Sequence, residues 1–486
     1  MGRFAELDKK YIWHPFTQMK EWLESEPIVI AKGKGCYLFD DKGKKYIDAN
    51  ASIWTNLHGH NNGTINRAIS RQLKKIAHSS ALGLANEPAS ILAEILLENA
   101  NSHELEEKII QSGDKQPQLE KVFYSDNGST AMEVALKLAF EFARRTGLGK
   151  NPRFISISSA YHGDTIGAVS LGHIDLFHKT WAPLLFQTDF AMSPYCYRCR
   201  YNKSKPERED ARKYRKCNNE CVTEIEKKFE QAKKQGKPYT GFVFEPLMQG
   251  AAGMIAHPSG WLNSVGKIAR QHGALLIADE VMTGFGRTGV VKSNVDEKMF
   301  YPGLFACHKE GIQPDLMALA KGLTGGYLPM AATLTTKAIF NAFLGDYSEF
   351  KTFFHGHSYT GNQLCSAASI ASMRLLLNKK SISERLRLEK TLQKGLNTLW
   401  ELENIGDIRQ IGLVAGVELV RNWRTREQFD LRERAGIRVC QAMAKRGVLT
   451  RPVGNVVVIM PPYCATEKEI GKIILSLRES IEEFFK

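Results

Sequence analysis

LIADEVMTGFGRTG, residues 276–289, follows an apolar run with an Asp-Glu pair. Residues 274–277 are all apolar and read as a buried strand, yet Asp279 falls where that strand should still be covered. A lone buried carboxylate costs several kcal/mol unless a cation meets it. The stretch therefore implies a strand that ends in a polar site, and working outward shows similar neighbours. KVFYS (121–125), RFISISS (153–159) and GFVFEP (241–246) are apolar runs that also end on polar residues. Those residues are Asp126 and Asn127, Tyr161 and His162, and Glu245. A helix is expected over 130–145, where Ala131, Ala135, Leu138 and Phe142 share one face. Alternating strands and helices point to an α/β domain with a mostly parallel sheet, whose ligands collect at the carboxyl ends of its strands.

The last hundred or so residues read differently. A long amphipathic helix is expected over 381–403, strands over 412–420 and 455–462, and a final helix from about Glu467. This describes a smaller α+β unit. The N-terminal segment, with a hairpin over 35–49 turning at Asp41 and Gly43, is expected to join it. The domain reading is an N-terminal segment 1–75 contributing to the small domain, a large domain 76–364 and a C-terminal small domain 365–486.

The chain has 486 residues, 43% hydrophobic and 24% charged, as globular proteins do. No apolar run approaches the roughly 18 residues that span a bilayer, so no membrane partner is expected. The N-terminus lacks a hydrophobic leader and the chain holds nine cysteines, so reduced thiols and a cytoplasmic location are the expectation. Net charge is +14, but residues 198–216 alone carry nine Lys or Arg against three Asp or Glu. A basic balance so localised does not make the molecule a nucleic-acid binder, and no nucleic-acid partner is expected.

Two further stretches carry chemistry. In SDNGSTAMEVALKLAF (125–140) a strand ends, Gly128 and Ser129 turn, and a helix begins. Backbone N–H groups, the helix dipole and the Ser129 hydroxyl make an anion site suited to phosphate. An ordinary helix start, capped by Ser or Thr with Glu133 at the third position, fits the same letters. In LMALAKGLTGGYLPM (316–330), Lys321 follows an apolar run and precedes three closely spaced glycines. Desolvation drives such a lysine towards the neutral amine that attacks aldehydes, although a lysine snorkelling from a strand end reads the same way. A phosphate site, a buried carboxylate, a lysine and the pair Tyr161–His162 together select pyridoxal 5'-phosphate. Lys321 would bind its aldehyde, Asp279 would pair with its ring nitrogen, and Tyr161 would stack on its face.

The motifs YIWHPFTQM (11–19), SIWTNLHGH (52–60), YHGDTIGA (161–168), DEVMTGFGRTG (279–289), AKGLTGGYLP (320–329), FFHGHSYTGNQL (353–364) and LTRPVGNVVVIMPPY (449–463) resemble the class-III, fold-type-I aminotransferases. Within that family they are similar to its biotin-pathway branch. The resemblance implies an α/β fold, with catalytic Lys321 and Asp279 and with Gly128, Ser129 and Tyr161 around the cofactor. It also implies a homodimer with a shared active site, in which His357 and Ser358 reach the neighbouring subunit's cofactor. Small-molecule substrates would meet Trp54, Tyr161, Lys321, Gly356 and Arg451, the last holding the carboxylate of 7-keto-8-aminopelargonate. Many members have Tyr where this chain has Phe16, and paired tryptophans where it has Ile53 and Trp54. The amino donor implied is S-adenosylmethionine, with lysine, or another ω-aminotransferase reaction, as alternatives.

One insertion stands apart. Residues 196–221 space Cys196, Cys199, Cys217 and Cys221 as C-x2-C-x17-C-x3-C. Four thiolates so spaced can close a structural zinc site, and a metal would organise a loop too polar to build its own core. Cysteines that stay free or pair locally are the alternative.

Overall fold

In the computed structural model, residues 2–102, 116–296 and 298–485 are described. Its centre is a seven-stranded sheet ordered Leu119–Ser125, Ala331–Thr336, Leu316–Leu319, Leu275–Asp279, Gly241–Phe244, Phe154–Ile157 and Asp189–Ala191. Only Ala331–Thr336 runs against its neighbours, pairing antiparallel with Leu316–Leu319 and Leu119–Ser125. The remaining strands lie parallel, as expected. The central strands are buried on both faces, which explains why they read as continuous apolar runs instead of alternating ones. Because the strands are parallel, Ser125, Ile157, Phe244, Asp279 and Leu319 end on one edge of the sheet. The residues just beyond those ends face a common space.

The helix Gly128–Arg145 covers one face, burying Ala131, Ala135 and Leu138. Its start differs from the expectation. Asn127 is the cap and Thr130 the third residue, each side chain accepting from the other's backbone N–H, while Glu133 accepts instead from Gly167 N at 2.7 Å. An Asn already in extended conformation ahead of the turn is the better cap, and it leaves Ser129 free for other partners.

Strand Val414–Asn422 pairs with Ile405–Ile411 and Val456–Ile459, and the helices Lys379–Asn397 and Glu467–Phe484 pack against one another in the same C-terminal part of the chain. Tyr37–Asp40 and Lys45–Asp48 form the hairpin read from the sequence. Lys45–Asp48 then pairs in parallel with Val448–Leu449, across some four hundred residues of chain.

The insertion 196–221 lends the zinc expectation no support. Among the described residues, no group of three or more His, Cys, Asp or Glu is arranged to hold a metal ion, and all four cysteines are free thiols. The segment does build a core: Cys196, Tyr197, Ala211 and Tyr214 form a buried cluster. Burial pushes the Cys196 thiol up to about 12 and the Cys221 thiol up to about 11 in the metal-free chain. The arginines are engaged as well. Arg208 donates to the carbonyls of Trp400, Leu402 and Ile405, Arg212 to Asp210 and Gln410 O, and Arg198 to Glu418.

Candidate active site

Asp279 closes the central strand with 5% of its surface exposed. Its Oδ1 accepts from Val281 N at 3.0 Å, and its Oδ2 lies 2.7 Å from His162 Nδ1. A carboxylate can only accept, so Nδ1 carries the proton and donates. His162 is therefore an orienting partner whose role its position beside Tyr161 did not disclose. Glu280 turns away, accepting from Thr283 Oγ1 at 2.6 Å and Cys307 N at 2.8 Å, and braces the turn.

Lys321 follows the neighbouring strand Leu316–Leu319, in left-handed backbone with φ 44°. Surrounding protein desolvates its amine and lowers its pKa to about 8, against the opposing pull of Asp279 and Glu245. Its Nζ sits 4.6 Å from the centre of the Trp54 ring. A lysine this close to neutrality at pH 7 is a competent nucleophile and base.

Glu245, just past the strand Gly241–Phe244, is a second buried carboxylate at this edge. It accepts from Tyr161 N at 3.3 Å and Gly250 N at 2.8 Å. Burial raises its pKa to about 7, with Asp279 adding to the rise and His162 opposing it. Its position at a strand end was visible in the sequence, but its link to Tyr161 was not.

At the phosphate turn, a Cβ on Gly128 would fall 2.6 Å from Val281, so only glycine lets the helix start lie this close to the Asp279 turn. Ser129 Oγ accepts from Thr165 N at 2.9 Å and lies 2.7 Å from Thr165 Oγ1. Tyr161 donates to Asp164 at 2.8 Å and lies parallel to the His178 ring at 6.2 Å. His357 approaches Asp126 of its own chain at 3.5 Å, and the Ser358 carbonyl meets His78. Gly356 immediately precedes them in the same loop, with φ 154°. Arg451 sits between Val448–Leu449 and Pro452–Val453, exposed, and among the described residues its guanidinium makes no ion pair. Its backbone carbonyl accepts from Val458 N at 3.4 Å.

These residues fit pyridoxal 5'-phosphate. A lysine of lowered pKa, a carboxylate fixed by two donors, and a helix start flanked by the Ser129 and Thr165 hydroxyls match an aldehyde, a ring nitrogen and a phosphate respectively. The comparisons agree with the geometry. Residues 19–481 match the family model of aminotransferase class-III, and the chain belongs to that family of pyridoxal-phosphate enzymes. A protein of Geobacter sulfurreducens named adenosylmethionine-8-amino-7-oxononanoate aminotransferase is 48% identical over 98% of this chain and 96% of its own length. The crystal structure of the Methanocaldococcus jannaschii protein of the same name superposes with a TM-score of 0.85 at 38% identity, covering 99% of this chain and 98% of the other. The ω-transaminase of Pseudomonas jessenii, solved in complex with PMP, superposes with a TM-score of 0.85 at 25% identity over 99% and 98% of the two chains.

Proposed function

We propose that this aminotransferase moves an amino group from S-adenosylmethionine to 8-amino-7-oxononanoate (7-keto-8-aminopelargonate), giving 7,8-diaminononanoate for biotin synthesis. The observation that carries the reaction is Lys321, an amine of pKa about 8 set beside the fixed carboxylate of Asp279 and under the Trp54 ring. The relatives named for this activity support the choice of acceptor.

Pyridoxal 5'-phosphate, when bound, supplies an aldehyde that captures amines and a ring that draws electrons from the adjacent carbon. Lys321 would hold the group. Freed from it, Nζ would serve as the general base that removes the donor's α-proton and as the acid that returns a proton to the acceptor's carbon. Asp279, held by His162 and Val281 N, would keep a negative charge opposite the ring nitrogen. Gly128 and Ser129 would hold the phosphate, and Tyr161 would cover one face. Arg451, exposed and free of any ion pair among the described residues, suits the carboxylate of the acceptor. Trp54 would exclude water above Nζ.

The same reading has two copies of the chain sharing their sites, with Gly356, His357 and Ser358 serving the neighbour. Exposed Tyr347, Phe350 and Phe354, in the segment leading into that loop, support an apolar contact with a second copy. We also assign residues 1–75 and 365–486 to a small domain around the large one, and a cytoplasmic location. Among the described residues no helix is long and apolar enough to cross a membrane.

The test is direct. The purified chain, loaded with pyridoxal 5'-phosphate, should make 7,8-diaminononanoate from the keto acid with S-adenosylmethionine as donor. Product with lysine alone would move the donor assignment, and no product with either would remove the acceptor assignment.

A further inference from the structure

The strand Lys45–Asp48 leads into unusual backbone. Ala51, Ser52, Ile53 and Trp54 all take left-handed φ, at 44°, 49°, 62° and 70°. L-residues avoid this region, and β-branched Ile53 does so strongly. Four such residues in succession persist only where the surroundings over-determine them.

One buried carboxylate grips this turn. Asp48 Oδ1 accepts from Asn50 N at 3.3 Å and Ser52 N at 3.0 Å, and Oδ2 accepts from Ser52 Oγ at 2.8 Å. His60 Nε2 lies 3.0 Å from the same Oδ2. The proton on His60 can be located. Asn56 Oδ1 accepts from Gly59 N at 2.7 Å, so the Asn56 amide nitrogen is the atom 3.0 Å from His60 Nδ1. Nδ1 accepts, and Nε2 therefore donates to Asp48. Asp48 is itself fixed from both sides: its N donates to Cys36 O at 2.8 Å, and it registers with Leu449 in the parallel pair.

The turn delivers one side chain to the site. Trp54 N donates to Asn50 O at 2.9 Å and Trp54 Nε1 to Asn50 Oδ1 at 2.8 Å, locking the indole whose face lies over Lys321 Nζ. The loop after Lys321 lies directly against the turn. A Cβ on Gly326 would fall 2.8 Å from the backbone of Thr55 and Asn56, and Leu57 N donates to Gly325 O at 3.4 Å.

We propose that Asp48, oriented by His60, is a positioning residue of this aminotransferase: it holds the left-handed turn 51–54 and so sets the Trp54 indole over the Lys321 amine. The inference rests on Lys321 being the catalytic amine. It also explains why the hairpin of Tyr37–Asp40 and Lys45–Asp48 is tied to Val448–Leu449. The same strand pair anchors Trp54 through Asp48 and ends two residues before Arg451, so both walls of the site share one frame.

The test uses the pyridoxal-phosphate-loaded chain carrying Asp48→Ala, Trp54→Ala or both. Hydrogen exchange of the amides of Ser52, Trp54, Thr55 and Asn56 should speed up by about tenfold or more in Asp48→Ala. KM for the amine donor should rise about tenfold while kcat changes less than about threefold. In the Trp54→Ala background the same Asp48 substitution should change KM by less than about twofold, because its effect runs through the indole. If Asp48→Ala does not fold, Asp48→Asn, of the same shape, is read by the same criteria. Unchanged exchange overturns the staple, and an equal KM effect in both backgrounds overturns its link to Trp54. A wild-type chain inactive with every donor would count against the functional reading, while exchange would still decide on the staple.

Discussion

His162 and Asp279 form a buried pair, Nδ1 to Oδ2 at 2.7 Å, and the other carboxylate oxygen accepts from Val281 N. Both oxygens are thereby fixed in direction before any ligand arrives. Among the described residues His162 Nε2 is buried without a hydrogen-bond partner, and the ring's hydrogen bond is the one to Asp279. Replacing His162 with Phe keeps the bulk and removes the orienting bond. Such second partners are worth about 10–100-fold, so kcat should fall by that factor and cofactor affinity should weaken with it. A kcat within twofold of wild type in steady-state assays would reduce His162 to packing.

Lys321 links reactivity to stability. Its amine is held near a pKa of about 8 against an ordinary 10.5, chiefly by burial. With the folded value depressed, the cost of the buried ammonium is present in full below pH 8 and is relieved as pH rises towards 10.5. Lys321→Met should therefore abolish turnover, yet make the unliganded chain more stable at pH 7 by about 3 kcal/mol. That advantage should shrink between pH 8 and 10. Urea unfolding of the two proteins across this range checks it, and a destabilised Lys321→Met would contradict the account.

Glu245 predicts the opposite slope in a different window. Its carboxyl is raised from 4.5 to about 7, mainly by burial. Between those values the unfolded chain has already released the proton that the folded chain still holds. Stability should therefore fall as pH rises from 4.5 to 7, by roughly 3 kcal/mol from this group. Glu245→Gln cannot titrate, and its stability difference from wild type should change across pH 5 to 8 by that amount. Parallel stability curves for the two proteins would show that Glu245 stays ionised throughout.

What could be read from the letters was whatever depended on local pattern. Buried parallel strands announce themselves as apolar runs, so residues 274–279 and 241–246 were legible, and the polar residues at their ends had one edge to share. Lys321 and Asp279 follow from that topology plus chemistry. Left-handed backbone at 51–54 has no local signature, because Ala-Ser-Ile-Trp carries no Gly, Asn or Asp to favour positive φ and the cause, Asp48 with His60, lies outside the run. The pairing of Asp48 with Leu449 is equally invisible, since it joins strands four hundred residues apart. What anchors the insertion was hidden for a related reason. Its cysteine spacing is local and suggestive, whereas the partners of its arginines lie near residues 400–420. Asp407 stands opposite Glu418 only in the register of a hairpin far along the chain.

That register yields the last prediction. Arg409 Nη1 meets Asp407 Oδ2 at 2.9 Å and Glu418 Oε2 at 2.6 Å, and Arg198 Nε reaches the other Glu418 oxygen at 2.7 Å. Tyr195 also donates to Glu418, and Arg409 donates onward to the carbonyls of Gly253 and Met254. Two guanidiniums and two carboxylates balance in a nearly dry setting, where removing one partner costs about 3–5 kcal/mol. Glu418→Ala should lower stability by that order and open residues 196–221 to trypsin, whose target residues are abundant there. A zinc chelator should leave the wild-type chain as stable and as resistant as before, because ion pairs and the Tyr197–Tyr214 cluster hold the segment. Release of the segment by the chelator, with Glu418→Ala still resistant, would reverse the assignment.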